Sequence, residues 1–468
     1  MQNEYKLLIA GNLVGSDSEL EVVNPATGSP FTSVPRASTA QADEAVAAAH
    51  AAQPSWGALP IGERQAKLVA LADVIAANGA DLARVITLEQ GKPLAEALGE
   101  VAWSESFLRY YATLDLPDSV IQDDAEAYIV VTRKPLGVVV GIIAWNFPLM
   151  LACWKIGPAL LAGNSMVLKP APTTPATALA LGALCQSIFP AGVINILSGG
   201  DDLGPHLTAH PDVAKIGFTG STATGKAILT NSAASLKRVT LELGGNDPAI
   251  ILEDVDVKQT AQQIFGNAFL NCGQVCLAIK RVYVHEDIYD VMCAELAAIA
   301  NAAIVDDGLK QGTGIGPIQN KAQYEKVKQF VETARRDGNI IAGGEVISRD
   351  GYFVSPTIVR DVSDGDEIVD KEQFGPILPI VRFAEIEDVI ARANASDYGL
   401  GASVWSADLD RATAIAGRIE SGQVWVNRHA AIGPNIPMAG CKSSGLGVEQ
   451  SMEGLLEYTQ IRVVNVGR

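Results

Sequence analysis

The chain of 468 residues is too long for one compact core and suits two or three domains of about 150 residues each. Hydrophobic residues make up 48% and charged residues 19%, which excludes a disordered chain. Asp and Glu outnumber Lys and Arg by 53 to 35, a net charge of −18, which disfavours a nucleic-acid-binding protein because such a protein carries a basic face.

Six cysteines in a chain of this length form no disulfide scaffold. The first residues, Met1-Gln-Asn-Glu-Tyr-Lys6, lack the basic and apolar regions of a signal peptide. We therefore expect a cytoplasmic protein with reduced thiols.

The first section of the chain is rich in alanine, with apolar residues recurring at i, i+3 and i+4. This spacing predicts helices over Gln41–Gln53 and Ile61–Ala77. A run of β-branched residues predicts a strand over Ala127–Arg133. The uncharged run from Pro135 to Trp154 is long enough to cross a bilayer, but Pro148 would break such a helix, so we expect a buried strand, a turn and a buried helix.

Up to about residue 244, short apolar runs alternate with helical patterns. The predicted strands are Val138–Ala144, Ser165–Lys169, Val193–Leu197, Lys215–Phe218 and Arg238–Leu243. The predicted helices are Leu149–Leu161, Pro175–Ile188, Leu203–Ala209 and Ser221–Asn231. This alternation predicts an α/β fold with a doubly wound parallel sheet.

A second alternating stretch runs from about residue 248 to 439. Its predicted strands are Ala249–Leu252, Arg281–His285, Ile377–Arg382, Gly401–Val404 and Gln423–Asn427. This stretch predicts a second α/β domain, and because no linker separates the two, we expect them to pack closely.

The first candidate for chemistry is Asn271-Cys-Gly-Gln-Val-Cys276. A thiol is a nucleophile only when a base is near or its pKa is lowered, and most buried cysteines are inert, so this segment is a weak signal by itself. Cys272 adds a metal or redox alternative. No paired Cys or Cys/His set accompanies it, and His206 and His210 fit a surface pair, so we expect no metal site.

The second candidate is Thr240-Leu-Glu-Leu-Gly-Gly245, where Glu242 stands at the end of an apolar strand. Burial raises the pKa of a carboxyl group, which suits a general base, although a satisfied hydrogen bond or an ion pair to a neighbouring strand is an equal alternative. The third is Phe218-Thr-Gly-Ser-Thr-Ala-Thr-Gly225, a strand end followed by a helix start. Such a helix N-terminus can hold a phosphate, but an ordinary strand-to-helix turn looks the same.

Ten short motifs occur in an order that resembles one family. They are Val23-Asn-Pro-Ala-Thr-Gly28, Trp145-Asn-Phe-Pro148, Gly157-Pro-Ala-Leu160, Leu168-Lys-Pro170, Phe218-Thr-Gly-Ser221, Leu241-Glu-Leu-Gly-Gly245, Gly273-Gln-Val-Cys276, Glu372-Gln-Phe-Gly-Pro376, Tyr398-Gly-Leu400 and Val424-Trp-Val-Asn427. Over nearly its whole length the chain resembles the aldehyde dehydrogenase superfamily, in its non-acylating, NAD(P)-dependent form.

The resemblance implies a role for four catalytic residues. Cys276 would attack the aldehyde, and the side-chain amide of Asn146 with the Cys276 N–H would stabilise the alkoxide. Glu242 would activate the water that releases the acid, and Lys155 would help to relay the proton.

The resemblance also implies a cofactor site and an apolar substrate pocket. The cofactor site would consist of Ile143, Trp145, Lys169, Thr219, Gly220, Ser221, Glu372 and Phe374, with Gly225 as the position where the helix packs on the strand. The pocket would include Phe147, Met150, Leu151, Trp154, Leu270, Val275, Leu277, His429 and Met438.

One departure affects the choice of dinucleotide. The family often has a glutamate two residues after the Lys-Pro pair, which excludes a 2′-phosphate, whereas this chain has Pro172 there. No arginine follows nearby, so we expect NAD, with NADP as the alternative. Arg428 and His429 lie in a loop that often sets specificity, and either a carboxylate-binding role for a semialdehyde or a solvated rim position fits them.

For the architecture, the resemblance implies a dinucleotide-binding domain (1–116 and 137–244), a catalytic domain (245–443) and a small β oligomerisation arm (117–136 and 444–468). The strand Tyr128–Arg133 is expected to become an edge that pairs with a second subunit in a homodimer or homotetramer. The alternatives are an NADP-preferring semialdehyde dehydrogenase and a non-catalytic structural relative.

Overall fold

The computed structural model describes residues 4–468. In its first half, the strands and helices are β1 Leu7–Ile9, β2 Asn12–Val14, β3 Glu19–Asn24, β4 Ser29–Pro35, α1 Thr39–Gly57, α2 Ile61–Ala77, α3 Gly79–Gln90, α4 Leu94–Tyr111, β5 Ser119–Asp123, β6 Ala127–Pro135, β7 Val138–Ile142, α5 Pro148–Leu161, β8 Ser165–Lys169, α6 Ala176–Cys185, β9 Ile194–Ile196, α7 Leu203–Ala209, β10 Val213–Thr219, α8 Thr222–Ser232 and β11 Arg238–Glu242.

The second half continues the alternation of strands and helices. Its elements are β12 Asp247–Ile251, α9 Val257–Phe269, β13 Ile279–His285, α10 Tyr289–Ala302, α11 Lys321–Asp337, β14 Asn339–Ala342, β15 Thr357–Val362, α12 Glu367–Asp370, β16 Ile377–Phe383, α13 Ile386–Asn394, β17 Tyr398–Gly399, β18 Gly401–Trp405, α14 Leu409–Ala416, β19 Gln423–Val426, β20 Cys441–Lys442, β21 Gly445–Leu446, α15 Ser451–Leu456 and β22 Thr459–Gly467.

The first sheet has the order β2-β1-β9-β8-β7-β10-β11-β21, and its five strands from β9 to β11 are parallel. Every residue of β7 and β8 is buried, as expected for strands covered by helices on both faces. The predicted doubly wound sheet is confirmed. The short strand β21 adds an antiparallel edge beside β11, so residues 445–446 of the predicted arm belong to this sheet.

The second sheet has the order β14-β15-β16-β13-β12-β18-β19 and is parallel except at β14. Each sheet has its own hydrophobic core. Val275 and Leu277, just before β13, pack in the core of the first sheet, as do Leu400 and Met438. The chain therefore returns to the first core where the candidate cysteine lies, and this places the site at the junction between the two cores.

A third sheet has the order β22-β6-β5. The hairpin expected around 117–136 is present as β5 and β6. The expectation that Tyr128–Arg133 forms a free edge is wrong, because the C-terminal strand β22 pairs with β6 over its whole length. The edges are β5 and β22, which expose Val120, Ile121, Ile461 and Val463.

The uncharged run 135–154 folds as predicted, into β7, a turn and the start of α5. Within residues 4–468 there is no helix whose length and apolar character would let it cross a membrane.

Candidate active site

The candidate residues of the first half gather at the carboxyl edge of the first sheet. Thr219 and Glu242 are the last residues of β10 and β11 and stand in register. Lys169 ends β8, and its carbonyl accepts from the N–H of Ile143, 3.1 Å away, just after β7. Ligands of doubly wound sheets bind outside the carboxyl ends of the strands, so the sheet places these side chains where the prediction needs them.

A cavity of about 450 Å³ opens at this edge. Among the predicted residues, its lining contains Cys276, Glu242, Asn146, Trp145, Thr219, Gly220, Ser221, Glu372, Phe374, Phe147, Met150, Leu151, Trp154, Leu270, Val275, Leu277 and Met438. Thus one cavity brings together the predicted nucleophile, the base, the amide, part of the cofactor set and most of the substrate set.

Cys276 lies in the loop between a 3-10 turn at 270–273 and β13. Gly273 enters this loop with φ 71° and its backbone lies against the carbonyl of Gly375, where a Cβ would come within 2.3 Å of the oxygen. The thiol is partly exposed to the cavity. Burial raises the pKa of Cys276 to about 12, and the neighbouring ammonium of Lys280 opposes that rise.

Glu242 is almost completely buried, and neither of its carboxylate oxygens has a hydrogen-bond partner. Desolvation raises the pKa of Glu242 well above its usual range, the nearby Glu449 raises it further, and the Lys155 ammonium opposes the rise. Of the two alternatives for this residue, the structure shows no ion pair to a neighbouring strand. A carboxyl group with free lone pairs and a raised pKa suits a general base.

The side-chain amide of Asn146 faces the segment that carries Cys276. Its Nδ2 donates to the carbonyl of Gln274 at 3.1 Å, and its Oδ1 has no partner. A primary amide has two N–H donors, so one remains for a negatively charged oxygen in the cavity.

Lys155 is buried and lies outside the cavity lining, where its ammonium forms an ion pair with Glu449. Sequence reasoning missed Glu449, whose second carboxylate oxygen is buried without a partner. No local pattern marks Glu449, because its partner Lys155 is 294 residues away.

The N-terminus of α8 lies at the same sheet edge and is the candidate phosphate site. Ser221 caps this helix through its side chain, which accepts from the N–H of Thr224 at 3.2 Å. A Cβ at Gly225 would lie 2.5 Å from Leu243, so Gly225 serves close packing of helix on strand and lies outside the cavity. The hydroxyl of Thr219 is buried without a partner. The uncapped N–H groups of Thr222 and Ala223, beside an unsatisfied hydroxyl, fit the pyrophosphate of a dinucleotide.

On the opposite wall, Trp145 and Phe374 meet edge to face with ring centroids 5.2 Å apart. Glu372 accepts from the N–H of Gly245 at 3.0 Å and lies 3.4 Å from the Lys280 ammonium. Lys280, which sequence reasoning missed, also donates to the carbonyl of Cys276 at 2.6 Å. The adjacent cations Lys280 and Arg281 at the start of a buried strand are the signal that would have found it.

Two more residues of the predicted cofactor set lie outside the cavity, because of their position on the sheet. Ile143 and Lys169 line no part of the cavity and stand further along the sheet edge. Burial lowers the pKa of Lys169, and Asp201 and Asp202 oppose that change. Asp202 in turn contacts the Arg36 guanidinium at 3.0 Å.

The prediction that His429 lines the substrate pocket is wrong. Its ring is buried, with Nδ1 3.0 Å from the Ser403 hydroxyl and Nε2 donating to the carbonyl of Leu277 at 2.8 Å. It therefore supports the cavity wall from behind, because the chain turns inward directly after β19. Arg428 is exposed and lies outside the lining, as a solvated rim residue would.

The cavity also contains residues that sequence reasoning missed, among them Trp103, Glu96 and Glu100 of α4. Cys272, by contrast, packs in the core of the second sheet, and burial raises its pKa far above the usual range. His206 and His210 both contact Asp43. In residues 4–468, no three His, Cys, Asp or Glu side chains are grouped to hold a metal ion.

The cavity lies at the edge of a doubly wound sheet and contains a thiol, an amide and unsatisfied polar groups. This is the arrangement of a nucleotide-dependent enzyme with covalent thiol chemistry. Comparison with known families identifies which one. The chain belongs to the aldehyde dehydrogenase family, whose model matches residues 13–464. It is an oxidoreductase that converts aldehydes to carboxylic acids.

Individual relatives span the whole chain. The aldehyde dehydrogenase LUC3 of Fusarium sp is 42% identical over 98% of this chain and 97% of its own length. The phenylacetaldehyde dehydrogenase of Pseudomonas fluorescens is 42% identical over 98% and 95%. The NAD+ complex of the aldehyde dehydrogenase from Bacillus cereus superposes with a TM-score of 0.97 at 37% identity, covering 99% of this chain and 96% of that one.

Proposed function

We propose that this chain oxidises an uncharged, apolar aldehyde with NAD, using Cys276 as nucleophile, Asn146 as oxyanion donor and Glu242 as base. One observation carries the proposal: the Cys276 thiol and the unpartnered carboxyl group of Glu242 line the same cavity. A nucleophile and a base that share a cavity with a free amide donor satisfy the requirements of acyl transfer.

In the first half-reaction, the Cys276 sulfur forms a bond to the aldehyde carbon and its proton goes to a base. The carbonyl oxygen becomes an alkoxide, and the free N–H of Asn146 and the Cys276 N–H donate to it. Because burial favours the neutral thiol, this step needs a proton acceptor, and since the thiol is partly exposed to the cavity, water there can take the proton.

A bound oxidised dinucleotide would supply the hydride acceptor that the former aldehyde carbon needs to become the carbonyl carbon of a thioester. Glu242 then takes a proton from water as the water oxygen attacks that carbonyl. The carbon–sulfur bond breaks, and the acid leaves while Cys276 is regenerated. Trp145, Thr219, Ser221, Glu372 and Phe374 would hold the dinucleotide.

The charges near Lys169 favour NAD over NADP. Pro172 cannot repel a 2′-phosphate, but Asp201 and Asp202 act on Lys169 and place negative charge at this end of the sheet edge. Arg36 is the nearby cation, and Asp202 neutralises it. We expect the kcat/KM for NAD to exceed that for NADP, and a tenfold preference for NADP would contradict the assignment.

The substrate part of the cavity favours an uncharged aldehyde. Its walls are apolar and aromatic, and the Phe107 ring supports the Trp154 wall from behind, with ring centroids 5.1 Å apart. Glu96 and Glu100 also line the cavity, and neither can attract the carboxylate of a semialdehyde. Among the residues that line the cavity, the one cation is Lys326, which lies beside Glu372 on the dinucleotide side.

The three-stranded sheet supports an oligomer. Its edge strands β5 and β22 leave backbone groups and several β-branched side chains exposed, which favours pairing with a second copy as a homodimer or homotetramer. All six cysteines are free, in keeping with a reducing cytoplasm. The negative net charge argues against a nucleic-acid partner.

The test is NADH formation with a panel of aldehydes: aliphatic, aromatic, carboxylated and quaternary-ammonium. We expect the apolar aldehydes to give the highest kcat/KM. Cys276→Ala should reduce the rate by roughly 10⁴-fold or more, because no other thiol lines the cavity. Cys272→Ala is the matched control and should keep the wild-type rate. An active Cys276→Ala variant would show that the nucleophile is wrongly assigned.

A further inference from the structure

A buried lysine lies directly behind the predicted oxyanion donor. Lys92, in the loop between α3 and α4, has a side chain with no exposed surface. Its ammonium donates to Glu100 Oε2 at 2.5 Å and to the backbone carbonyl of Asn146 at 2.9 Å, and it lies 3.7 Å from the centroid of the Phe147 ring. An ammonium has three donors, and every contact named here involves either α4 or the Asn146 segment.

Glu100 connects the same lysine to the start of α5. Its Oε1 accepts from the N–H groups of Leu149 at 2.9 Å and Met150 at 3.2 Å. Phe147, the N-cap residue of α5, provides no side-chain cap of its own. A carboxylate at a helix N-terminus satisfies orphan donors and interacts favourably with the helix dipole. Glu100 therefore caps, from another helix, the helix that carries Met150, Leu151 and Trp154 into the cavity.

The Asn146 carbonyl is held from two sides. Lys92 Nζ and Asn271 Nδ2 each donate to it at 2.9 Å. The Gln90 side chain donates to Asn271 Oδ1 at 2.8 Å and accepts from the N–H of Lys92 at 2.9 Å. Because both acceptor directions of the carbonyl are occupied, the peptide plane of Asn146 is fixed, and with it the direction in which the side-chain amide leaves the backbone.

From this geometry we propose that Lys92 and Glu100 are positioning residues, which hold the Asn146 amide where the alkoxide on the aldehyde carbon forms. This inference rests on the proposed function, because it assumes that Asn146 stabilises that alkoxide. Neither residue exchanges a proton or forms a bond in the reaction. Their effect belongs to the chemical step, and dinucleotide affinity should not depend on them.

The test is a double-mutant cycle between Lys92→Met and Asn146→Ala, measured as the single-turnover rate of NADH formation. Displacing a catalytic group slightly costs about 10²-fold in rate, so Lys92→Met alone should lose about 10²-fold. In the Asn146→Ala background, Lys92→Met should cost less than about threefold, because coupled residues are not additive. A merely structural role of Lys92 would give equal losses in both backgrounds and would overturn the proposal.

Two further measurements separate positioning from general damage. Alkylation of Cys276 by iodoacetamide develops no alkoxide, so its rate should stay within about threefold of wild type. The Kd for NAD, from fluorescence quenching, should be unchanged. A parallel loss of alkylation or of NAD affinity would also overturn the proposal.

The matched control is Lys215→Met. Lys215 is another fully buried lysine, but its ammonium donates to the Thr240 hydroxyl at 2.6 Å and faces the Tyr458 ring instead of Asn146. It should keep a single-turnover rate close to wild type. If Lys92→Met does not fold, Lys92→Met/Glu100→Gln replaces it in the cycle, because this pair leaves no unpaired buried charge.

The cycle also distinguishes the two proposals. If Asn146→Ala by itself keeps the wild-type rate, the oxyanion role fails and the positioning role fails with it. If Asn146→Ala is slow and Lys92→Met is not, the mechanism stands and the positioning role alone is wrong.

Discussion

The two parallel sheets differ at their carboxyl edges. On the first sheet, the hydroxyl of Thr219 and both oxygens of Glu242 are buried without partners. On the second, Ser406 after β18 donates to Asp254 at 2.8 Å, and the Asn427 amide after β19 makes two hydrogen bonds to the Ser406 backbone. An unpartnered buried polar group is costly, so the first edge resembles a ligand site and the second a completed structure.

The comparison teaches that fold alone does not locate a site. Both edges belong to α/β sheets in which the usual ligand position is outside the carboxyl ends of the strands. The distinguishing feature is that polar side chains of the first edge find no partner within the protein. Replacing such a group should impair function and leave the free energy of unfolding unharmed. Replacing a paired group of the second edge should lower the free energy of unfolding and leave function unharmed.

Among the substitutions that compare the two edges, Glu242→Gln should have the largest effect. Loss of a general base costs about 10²- to 10⁴-fold, so steady-state turnover should fall by about 10³-fold. The first turnover should still release a burst of NADH if Glu242 acts mainly on water. Because the neutral amide avoids burying a charge, the free energy of unfolding should not fall. Rapid-mixing absorbance and thermal melting measure the two quantities, and a variant with wild-type turnover would remove the role.

A pair of matched substitutions tests the edges against each other. Thr219→Val replaces an unpartnered hydroxyl by a methyl group, so stability should hold or rise while the KM for NAD rises about fivefold, the value of one hydrogen bond. Enzyme kinetics and denaturant unfolding measure the two effects.

Ser406→Ala provides the contrast. This buried hydroxyl bonds Asp254 and accepts from the Asp408 N–H at 3.0 Å, so its loss should lower the free energy of unfolding by about 1–2 kcal/mol. Kinetic constants should stay at wild-type values. If Ser406→Ala changed the KM for NAD as much as Thr219→Val, the distinction between the edges would be unfounded.

The smallest expected effect is a displaced pH profile. Glu242 acts as a base only when deprotonated, and its pKa is raised, so thioester hydrolysis should slow as the pH falls through that raised value. Glu449 contributes to the rise by charge repulsion. Glu449→Gln should therefore lower the pKa of Glu242 and move the acid limb of the rate to lower pH. A limb that stays in place or moves to higher pH would contradict the assigned coupling.

Much of this arrangement could be predicted from sequence, because its signals are local. The bounds of α2 and β8 agree with the predicted Ile61–Ala77 and Ser165–Lys169. Their apolar periodicity lies within one element, so a short window contains it. Glu242 stood out for a similar reason, as a charge at the end of an apolar strand.

What was missed depends on contacts between distant parts of the chain. Strand β22 pairs with β6, and the Thr132 side chain bonds to a backbone carbonyl 330 residues away. Every residue of β22 after Thr459 is exposed, and polar residues interrupt its β-branched ones, so the strand lacks the apolar run of a buried strand. The partners of Lys92 and Glu449 are also set by tertiary packing. His429 was misplaced because a loop residue after a strand can face either the cavity or the core.

The most direct test of the central claim is to trap the acyl group. Glu242→Gln should be mixed with NAD and an apolar aldehyde, quenched in acid and digested for mass spectrometry. The account predicts that the peptide containing Cys276 gains the mass of the acyl group while the thiol of Cys272 stays free. Rapid formation of NADH with an unmodified Cys276, or an acyl group found on another residue, would contradict it.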